Sequence, residues 1–295
     1  VKRLRRDLAY VLIRAVVGLF RAAPRGAALA LASFLGRLAP HIFRGEHRLA
    51  REHLTLAFSG EKTPEEIERL ARETFRFAAL NFADTVRIGG MTPEDIRAVV
   101  VPHNLDRLLD AMRAGNGAIG LTSHTGCWEM LGSWLAASGV PIAVIARRLY
   151  DPRLEELLLR MRTGAGMRVI SRGKDTRDVI RVLRDGQLLG VLIDQDIDVK
   201  GAFVDFFGRP AHTATAPAYL ALKYSVPVFP IFTWRDGDHF HHAWIGEPVE
   251  IERTGDIDRD AIELTARCSK AIEAFIREHP EQWVWFHRRW KTRRE

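Results

Sequence analysis

The sequence predicts an α/β fold, in which a central, mostly parallel sheet is flanked by helices and preceded by a basic helical arm. The chain has 295 residues, of which 47% are hydrophobic, so it can bury one large core. Four apolar segments of strand length alternate with helical patterns, and such alternation implies crossover connections between parallel strands. Polar residues follow directly after two of these strands, where open α/β folds place their sites.

The first 60 residues form the predicted arm. They hold eleven Lys and Arg against three acidic residues, a net charge of +8, and they are rich in Leu, Ala, Val and Phe. Arginines interrupt the apolar runs, so no stretch reaches the roughly 18 uncharged residues of a membrane span. Two interpretations stay open: helices that lie in the membrane interface, and a helical hairpin packed on the main domain. No cleavable signal peptide is expected.

Two helix starts follow the arm. The segment Thr63-Pro64-Glu65-Glu66 is a capping box with proline at the first helical position, and it predicts a long helix to about Val86. The same pattern at 92–95 predicts a second, short helix. We therefore expect the boundary between the arm, residues 1–60, and an α/β domain, residues 61–295, to lie just before this first cap.

The α/β domain follows in order. Apolar, strand-length segments are interleaved with helical patterns, and a turn at Asp236-Gly237-Asp238 predicts a hairpin. The predicted strands are 117–122, 140–146, 188–193, 226–233 and a region near 240–251, and the predicted helices are 104–114, 127–138, 152–163, 174–185, 214–224 and 257–278.

Charge and cysteine content exclude several classes of protein. The net charge of +7 combines +8 in residues 1–60 and +4 in residues 287–295 with −5 in the remainder. A nucleic-acid binder would carry its basic residues along the main domain, so this distribution favours attachment to an anionic membrane surface instead. The only two cysteines, Cys127 and Cys268, match neither a zinc spacing nor a disulfide scaffold, which favours a reducing compartment.

The first candidate site follows the strand 117–122. His124 comes directly after it, Gly126 permits a tight turn, and Glu129 lies in the first turn of the next helix. Glu129 is expected to hydrogen-bond the His124 ring, which would orient the imidazole and make it a stronger general base. From the spacing alone, a capping histidine with a glutamate that complements the helix dipole is the simpler interpretation.

The second candidate site follows the strand 188–193. Asp194 and Asp196 could bind a cation, orient a substrate or hydrogen-bond neighbouring loops, and an isolated Asp-x-Asp is weak support for a metal. Phe206 and Phe207, in an aromatic segment before Thr213, could line an apolar pocket or simply belong to the core. Between the two sites, one or two of five arginines could bind phosphate; these are Arg147, Arg148, Arg160, Arg162 and Arg168.

The C-terminal segment 283–293 mixes large aromatic residues with basic ones, a composition suited to the membrane–water interface. Together with this segment, the motifs form an ordered set along the chain. They are His124 to Glu129, Asp194-Gln195-Asp196, Phe203 to Ala211 with Thr213, Val226 to Pro230, and Trp285 to Arg293.

As a set, these motifs resemble the lipid A biosynthesis lauroyl/myristoyl acyltransferases over nearly the whole chain. The resemblance implies a lysophospholipid-acyltransferase-like fold, in which His124 is the catalytic histidine, Glu129 its acidic partner and Arg162 a functional arginine. Many relatives carry Asn at the position of Cys127. We expect substrate contacts from the remaining motif residues, which are Gly126, Trp128, Arg147, Asp194, Asp196, Phe206, Phe207 and Thr213.

The resemblance also implies partners and a location. An acyl carrier protein or acyl-CoA would donate the acyl chain, a lipid A precursor or related glycolipid would accept it, and neither a metal nor another cofactor is expected. The protein would be peripheral or singly anchored at the cytoplasmic face of the inner membrane. Three alternatives stay open: a phosphatidylinositol mannoside acyltransferase that uses acyl-CoA, a metal-dependent hydrolase, and a non-catalytic membrane-surface or RNA-binding protein.

Overall fold

The computed structural model describes residues 2–115, 117–173 and 176–293. Lys174 and Asp175, which begin the predicted helix 174–185, lie outside the described residues, as do Arg294 and Glu295 of the basic C-terminus. The helices are α1 (Lys2–Ala22), α2 (Arg25–Ile42), α3 (Arg44–Ala57), α4 (Pro64–Ile88), α5 (Pro93–Ala98), α6 (Leu105–Arg113), α7 (Trp128–Ala137), α8 (Pro152–Gly164), α9 (Thr176–Arg184), α10 (Ala216–Tyr224) and α11 (Ile257–Glu278).

The strands form a seven-stranded sheet and a separate two-stranded ribbon within the described residues. They are β1 (Val100–His103), β2 (Ala118–Thr122), β3 (Ile142–Ala146), β4 (Arg168–Ser171), β5 (Leu188–Leu192), β6 (Gly201–Phe206), β7 (Arg209–Ala214), β8 (Val228–Asp236) and β9 (Phe240–Ile245). The order in the sheet is β1-β9-β8-β2-β5-β3-β4. The five strands from β8 to β4 are parallel, while β9 is antiparallel to β8. The predicted α/β class is therefore confirmed.

The ribbon β6–β7 differs from the prediction. The aromatic segment Phe203–Ala211 was expected to be a loop, but most of it lies in two antiparallel strands joined at Phe207-Gly208, with φ of 56° and 72°. Two positive φ values are typical of a tight hairpin turn. The strands β1 and β4 were also missed, since each has only four residues and lies at an edge of the sheet. Conversely, residues 246–251 do not form a strand.

Side chains alternate across the sheet and divide the core into two layers. Ile119, Leu121 and Leu189 pack on one face in the layer that contains α10 and α11, whereas Ala118 and Leu188 pack on the opposite face with α7. The second face is the one on which a cavity opens, as described below.

The N-terminal helices pack on the domain and also expose apolar side chains. In α2, Leu29 and Ala32 are buried, and the Arg25 guanidinium pairs with the buried carboxylate of Asp84 on α4 at 2.9 Å. On their other faces, α1 and α2 expose Leu8, Val11, Leu12, Leu19, Leu31, Phe34, Leu35, Leu38 and Ile42. In the described part of the chain, no single helix is long and apolar enough to cross a membrane, and α2 and α3 meet that criterion only as a pair bent by 90°.

Candidate active site

His124 lies at the carboxyl edge of the sheet, in the turn from β2 to α7. The turn requires glycine at position 126, because its φ is 57° and a Cβ there would clash with the carbonyl oxygen of Thr233. The Gly126 N–H donates to the carbonyl oxygen of Gln282 at 3.1 Å. The turn is thus fixed from the C-terminal side of the chain, as well as by β2.

Asp194 is the hydrogen-bonding partner of His124. Its Oδ1 lies 2.8 Å from His124 Nδ1, and its Oδ2 accepts the backbone N–H of His124 at 2.7 Å. The contact follows from the register of the sheet: Thr122 of β2 pairs with Leu192 of β5, and each site residue comes two positions later. Parallel neighbours therefore deliver both side chains to one point at their carboxyl ends.

The Asp194 carboxylate is fully buried and accepts a third hydrogen bond, from Trp283 Nε1 at 2.7 Å. Burial alone would raise the pKa of Asp194, but the charge and hydrogen bonds of His124 and the indole N–H of Trp283 outweigh it and hold this pKa at about 2. The carboxylate is therefore ionised at neutral pH. An ionised carboxylate only accepts hydrogen bonds, so Nδ1 of the imidazole carries the proton that faces it, and in the neutral form of the ring Nε2 is the acceptor.

Glu129 does not hold the His124 ring, contrary to the expectation. Its carboxylate makes a two-pronged ion pair with Arg162 of α8, with Nε–Oε2 and Nη2–Oε1 distances of 2.9 and 2.5 Å. Both side chains are largely buried. Although burial opposes the charge of Arg162, its hydrogen bonds and ion pair with Glu129 raise the pKa of this guanidinium. The catalytic importance of Glu129 and Arg162 stays a prediction, but their contact with one another replaces the expected dyad.

Within the described residues, His124 lines three cavities. The sheet-face cavity, about 240 Å³, lies between the sheet and helices α7 and α8. The α4 cavity, about 260 Å³, lies between α4 and the C-terminal segment 282–286. The edge cavity, about 380 Å³, runs over the carboxyl end of β5 towards α10. The imidazole of His124 lies in the wall of all three.

The sheet-face cavity has room because each of two neighbouring strands has a glycine on that face. Gly120 of β2 and Gly190 of β5 are directly paired, and both line the cavity. A Cβ at Gly190 would lie 3.2 Å from Val144 Cγ1, so even a methyl group would crowd the space. Glu129 and Arg162 line the cavity together with His124, and the remaining walls are mostly apolar side chains of β3, β5, α7 and α8.

The other predicted site residues divide into two groups. Trp128 and Arg147 line cavities at His124, and the Trp128 ring meets the imidazole edge-on at a centroid distance of 4.9 Å. Phe206 and Phe207, by contrast, are buried in the core and do not line any of the three cavities. The ribbon directs both rings towards the tryptophans of the C-terminal segment, as with Phe206 and Trp283 at 5.7 Å.

Asp196 and Thr213 hold the C-terminal segment in place. The Asp196 carboxylate accepts the backbone N–H and the hydroxyl of Thr292, at 2.8 and 3.0 Å, and Thr213 Oγ1 accepts a hydrogen bond from the buried Arg289 at 2.5 Å. Both residues are buried, and neither lines the cavities at His124. Among the described residues, no three His, Cys, Asp or Glu side chains form a cluster that could hold a metal ion.

The role of the C-terminal tryptophans was predicted wrongly. Their composition suggested the membrane interface, but Trp283 and Trp285 are fully buried. The indole N–H of Trp283 is bonded to Asp194, and Trp285 Nε1 donates to the carbonyl oxygen of Pro280 at 2.5 Å. Trp283 is thus a site residue that sequence reasoning missed, because nothing in a Trp-x-Trp pattern shows what each indole N–H binds.

The chain is similar in sequence to known bacterial acyltransferases. A family model described as bacterial lipid A biosynthesis acyltransferase matches residues 2–292. The phosphatidylinositol mannoside acyltransferase of Mycolicibacterium smegmatis is 28% identical over 229 residues, 75% of this chain and 69% of that protein. The lipid A biosynthesis myristoyltransferase and palmitoleoyltransferase of Escherichia coli K12 are 26% and 25% identical, cover 88% and 89% of this chain, and are themselves covered to 80% and 84%.

Proposed function

Because the chain belongs to the bacterial lipid A biosynthesis acyltransferase family and is an acyltransferase, we propose that it transfers a fatty acyl chain from an acyl thioester to a hydroxyl group of a lipid A precursor or related glycolipid. An acyl carrier protein is the proposed donor. The observation that carries the proposal is the His124–Asp194 pair, whose histidine lines three cavities.

In the proposed reaction, His124 acts as a general base. Nε2 takes the proton of the acceptor hydroxyl as the oxygen attacks the thioester carbonyl, and Asp194 stabilises the resulting imidazolium. Collapse of the tetrahedral intermediate breaks the carbon–sulfur bond, and the imidazolium returns its proton to the departing thiolate. The ester and the free thiol are the products, so no acyl-enzyme is required.

Glu129 and Arg162 have a supporting role in this proposal. The guanidinium is fixed by its two bonds to Glu129 and lines the sheet-face cavity together with His124. A fixed cation there favours the negative charge that develops on the carbonyl oxygen. Without Glu129, the buried cation would lose its partner and its fixed position, so substitution of either residue should reduce turnover.

The sheet-face cavity is proposed to receive the acyl chain of the donor. Its walls are mostly apolar, and it extends from Leu192 near His124 to Leu188 at the start of β5, about 13 Å along the strand. A chain inserted in this direction leaves its thioester carbon at the mouth, beside His124. The α4 cavity, which has no Lys or Arg in its wall, is then available for an apolar part of the acceptor lipid.

We further propose that the arm, residues 1–60, attaches the protein to the cytoplasmic face of the inner membrane, peripherally or by a single anchor. The exposed apolar side chains of α1 and α2, together with the net charge of +8, suit an anionic bilayer surface. The packing of α2 on α4 supports both interpretations of the arm, as helices in the membrane interface and as helices packed on the domain, because one face of α2 is packed and the other is exposed. The boundary at residue 60 stays a prediction.

The attachment is tested by flotation with anionic vesicles. The double variant Phe34→Ser/Leu38→Ser removes exposed apolar surface without touching the buried face of α2, and Ile262→Ser on α11, a comparably exposed side chain, is the matched control. We expect the double variant to be released and the control to float like wild type, with weaker association of all three at high salt. Equal flotation of both variants would refute attachment through α2.

A second acceptor is supported by the 28% identical phosphatidylinositol mannoside acyltransferase. The two candidates differ in acceptor and donor, so purified protein should be given acyl carrier protein and CoA thioesters with each glycolipid. Mass spectrometry of membrane lipids with and without the gene identifies the lipid that loses a chain. Transfer to a lipid A precursor supports the first proposal, and transfer only to the mannoside would replace it.

A metal-dependent hydrolase is less well supported. It would need Asp194 and Asp196 as ligands, but the Asp194 carboxylate already accepts three hydrogen bonds and Asp196 accepts two from Thr292. Neither carboxylate is therefore presented to a ligand.

A further inference from the structure

Two arginines, Arg147 and Arg172, directly follow the ends of the neighbouring strands β3 and β4, close to the candidate active site. Ala146, the last residue of β3, pairs with Ser171, the last residue of β4, and Arg147 and Arg172 come next in each chain segment. The Arg172 N–H donates to the carbonyl oxygen of Ala146 at 2.9 Å, which continues the pairing by one residue. Both side chains are exposed, and both line the edge cavity.

The edge cavity is positively charged in the part of the chain that the structure describes. The described residues of its lining include these two arginines and no Asp or Glu, and the rest of its wall is largely apolar. Among the described residues, neither guanidinium forms an ion pair with a carboxylate. Arg148, which follows Arg147, donates to Ser171 Oγ at 3.3 Å. By contrast, about half of the other described arginines of the domain are paired, as Arg160 is with Glu156 on α8. A mostly apolar cavity with two arginines at its rim, Arg147 and Arg172, suits an elongated, mainly uncharged group that ends in an anion.

The position of the edge cavity indicates which substrate it serves. It shares Ile145, Arg147 and Leu192 with the sheet-face cavity, as well as His124, so the two cavities adjoin at the catalytic histidine of the proposal. An acyl thioester has two arms that meet at its carbonyl carbon. If the acyl chain occupies the sheet-face cavity, the thiol-bearing arm must leave by another opening at His124, and the edge cavity adjoins it.

We infer that Arg147 and Arg172 bind the phosphate of the acyl donor, at the far end of its pantetheine arm, while the edge cavity holds the arm itself. This inference rests on the proposed function, since it assigns one part of the donor to one part of the site. Both candidate donors carry this phosphate, so the site is compatible with either. A phosphate on the acceptor headgroup has the same chemistry, and the experiment must distinguish the two.

The test uses two donors that differ only in this group, S-acyl-4′-phosphopantetheine and S-acyl-pantetheine. Steady-state kinetics are measured for wild type, Arg147→Ala, Arg172→Ala and the double variant, with Arg160→Ala as the control for an exposed arginine outside the cavities. We expect wild type to have a KM about tenfold or more lower for the phosphorylated donor. The arginine variants should lose this preference with little change in kcat, and Arg160→Ala should keep it.

The outcomes separate the inference from the proposed function. If wild type is active but the arginine variants change KM equally for both donors, the guanidinium groups do not bind the donor phosphate and the inference is wrong. If their effect instead follows the presence of a phosphate on the acceptor, tested with a phosphorylated and a dephosphorylated glycolipid, the rim is a headgroup site and the donor assignment is overturned. If wild type transfers no acyl chain from any thioester, the proposed function itself fails.

Discussion

Asp194→Asn tests the hydrogen bonding that the structure assigns to His124. The asparagine has the same shape, and its amide oxygen can accept the two N–H groups that now meet Oδ2, from the His124 backbone and from Trp283. Its NH₂ group then faces Nδ1 of the imidazole, at the position of Oδ1. Two donors cannot face one another, so Nδ1 must become the acceptor and the proton must move to Nε2. The ring could no longer accept a proton from a hydroxyl.

The size of the effect follows from the same contacts. The pKa of Asp194 falls from 3.8 to about 2 although burial opposes ionisation, which corresponds to roughly 2 kcal/mol of net stabilisation of the carboxylate. Asparagine gives up the charge that stabilises the imidazolium and also holds the wrong tautomer, and the equivalent change in a Ser-His-Asp triad costs about 10⁴ in kcat. We therefore expect kcat to fall by about 10² to 10⁴.

The assay combines acyl-transfer kinetics with nitrogen-15 NMR of the His124 ring. Wild type should show a proton on Nδ1 and the variant a proton on Nε2, and circular dichroism should show that the variant is folded. Asp198→Asn, an exposed carboxylate in the same loop, is the matched control and should keep wild-type kcat. A kcat for Asp194→Asn within threefold of wild type would refute the assignment of Asp194 as the group that orients the base.

Three further predictions concern the cavity, the cysteine beside the site and a buried ion cluster. The variant Gly190→Ala adds a methyl group that would crowd Val144 in the sheet-face cavity. It should shift the preferred donor to one with a shorter acyl chain, as measured by competition between thioesters. An unchanged preference would mean that the acyl chain binds elsewhere. Cys127→Ala should keep activity within about threefold, because burial raises the pKa of this thiol to about 11 and leaves almost no thiolate; an acyl group trapped on Cys127 would contradict this. His241 is fully buried against Asp84, and burial is the main cause that lowers its pKa to about 4. Since the unfolded chain then binds the proton more tightly than the folded protein, the free energy of unfolding should fall as the pH drops from about 6.5 to 4, by on the order of 2 kcal/mol between pH 7 and 5. Denaturant unfolding should show that His241→Gln loses less stability than wild type over this range. An equal loss in the two proteins would assign the pH dependence to other groups.

The elements that the sequence predicts best are those with a strong local signal. The capping boxes at Thr63 and Thr92 both form, and the apolar runs at β2, β3, β5 and β8 all become strands. The missed strands β1 and β4 lie at the sheet edges, and in each of them only one of the four residues is buried. Their existence depends on hydrogen bonds to a neighbour, which no local pattern reveals.

The site divides in the same way. That His124 and Asp194 both follow strands could be read from the sequence, but their contact depends on β2 and β5 being neighbours in the sheet. Local sequence therefore predicts Glu129, the nearer carboxylate along the chain, as the partner of His124, whereas the structure directs Glu129 towards Arg162 on α8. Trp283 could not be found from local sequence, because it reaches Asp194 from the other end of the chain.

The central claim is that His124 is the general base of a direct acyl transfer, and single-turnover mass spectrometry tests it most directly. Wild type and His124→Ala are mixed with an acyl thioester and the glycolipid acceptor, and both the lipid and the intact protein are weighed at each time point. We predict that wild type converts the lipid to its acyl ester, that His124→Ala is slower by a factor of at least about 10² with an unchanged fold, and that neither protein gains the mass of an acyl chain. Transfer by a folded His124→Ala at the wild-type rate, or an acylated wild-type protein that forms before the lipid ester, would contradict it.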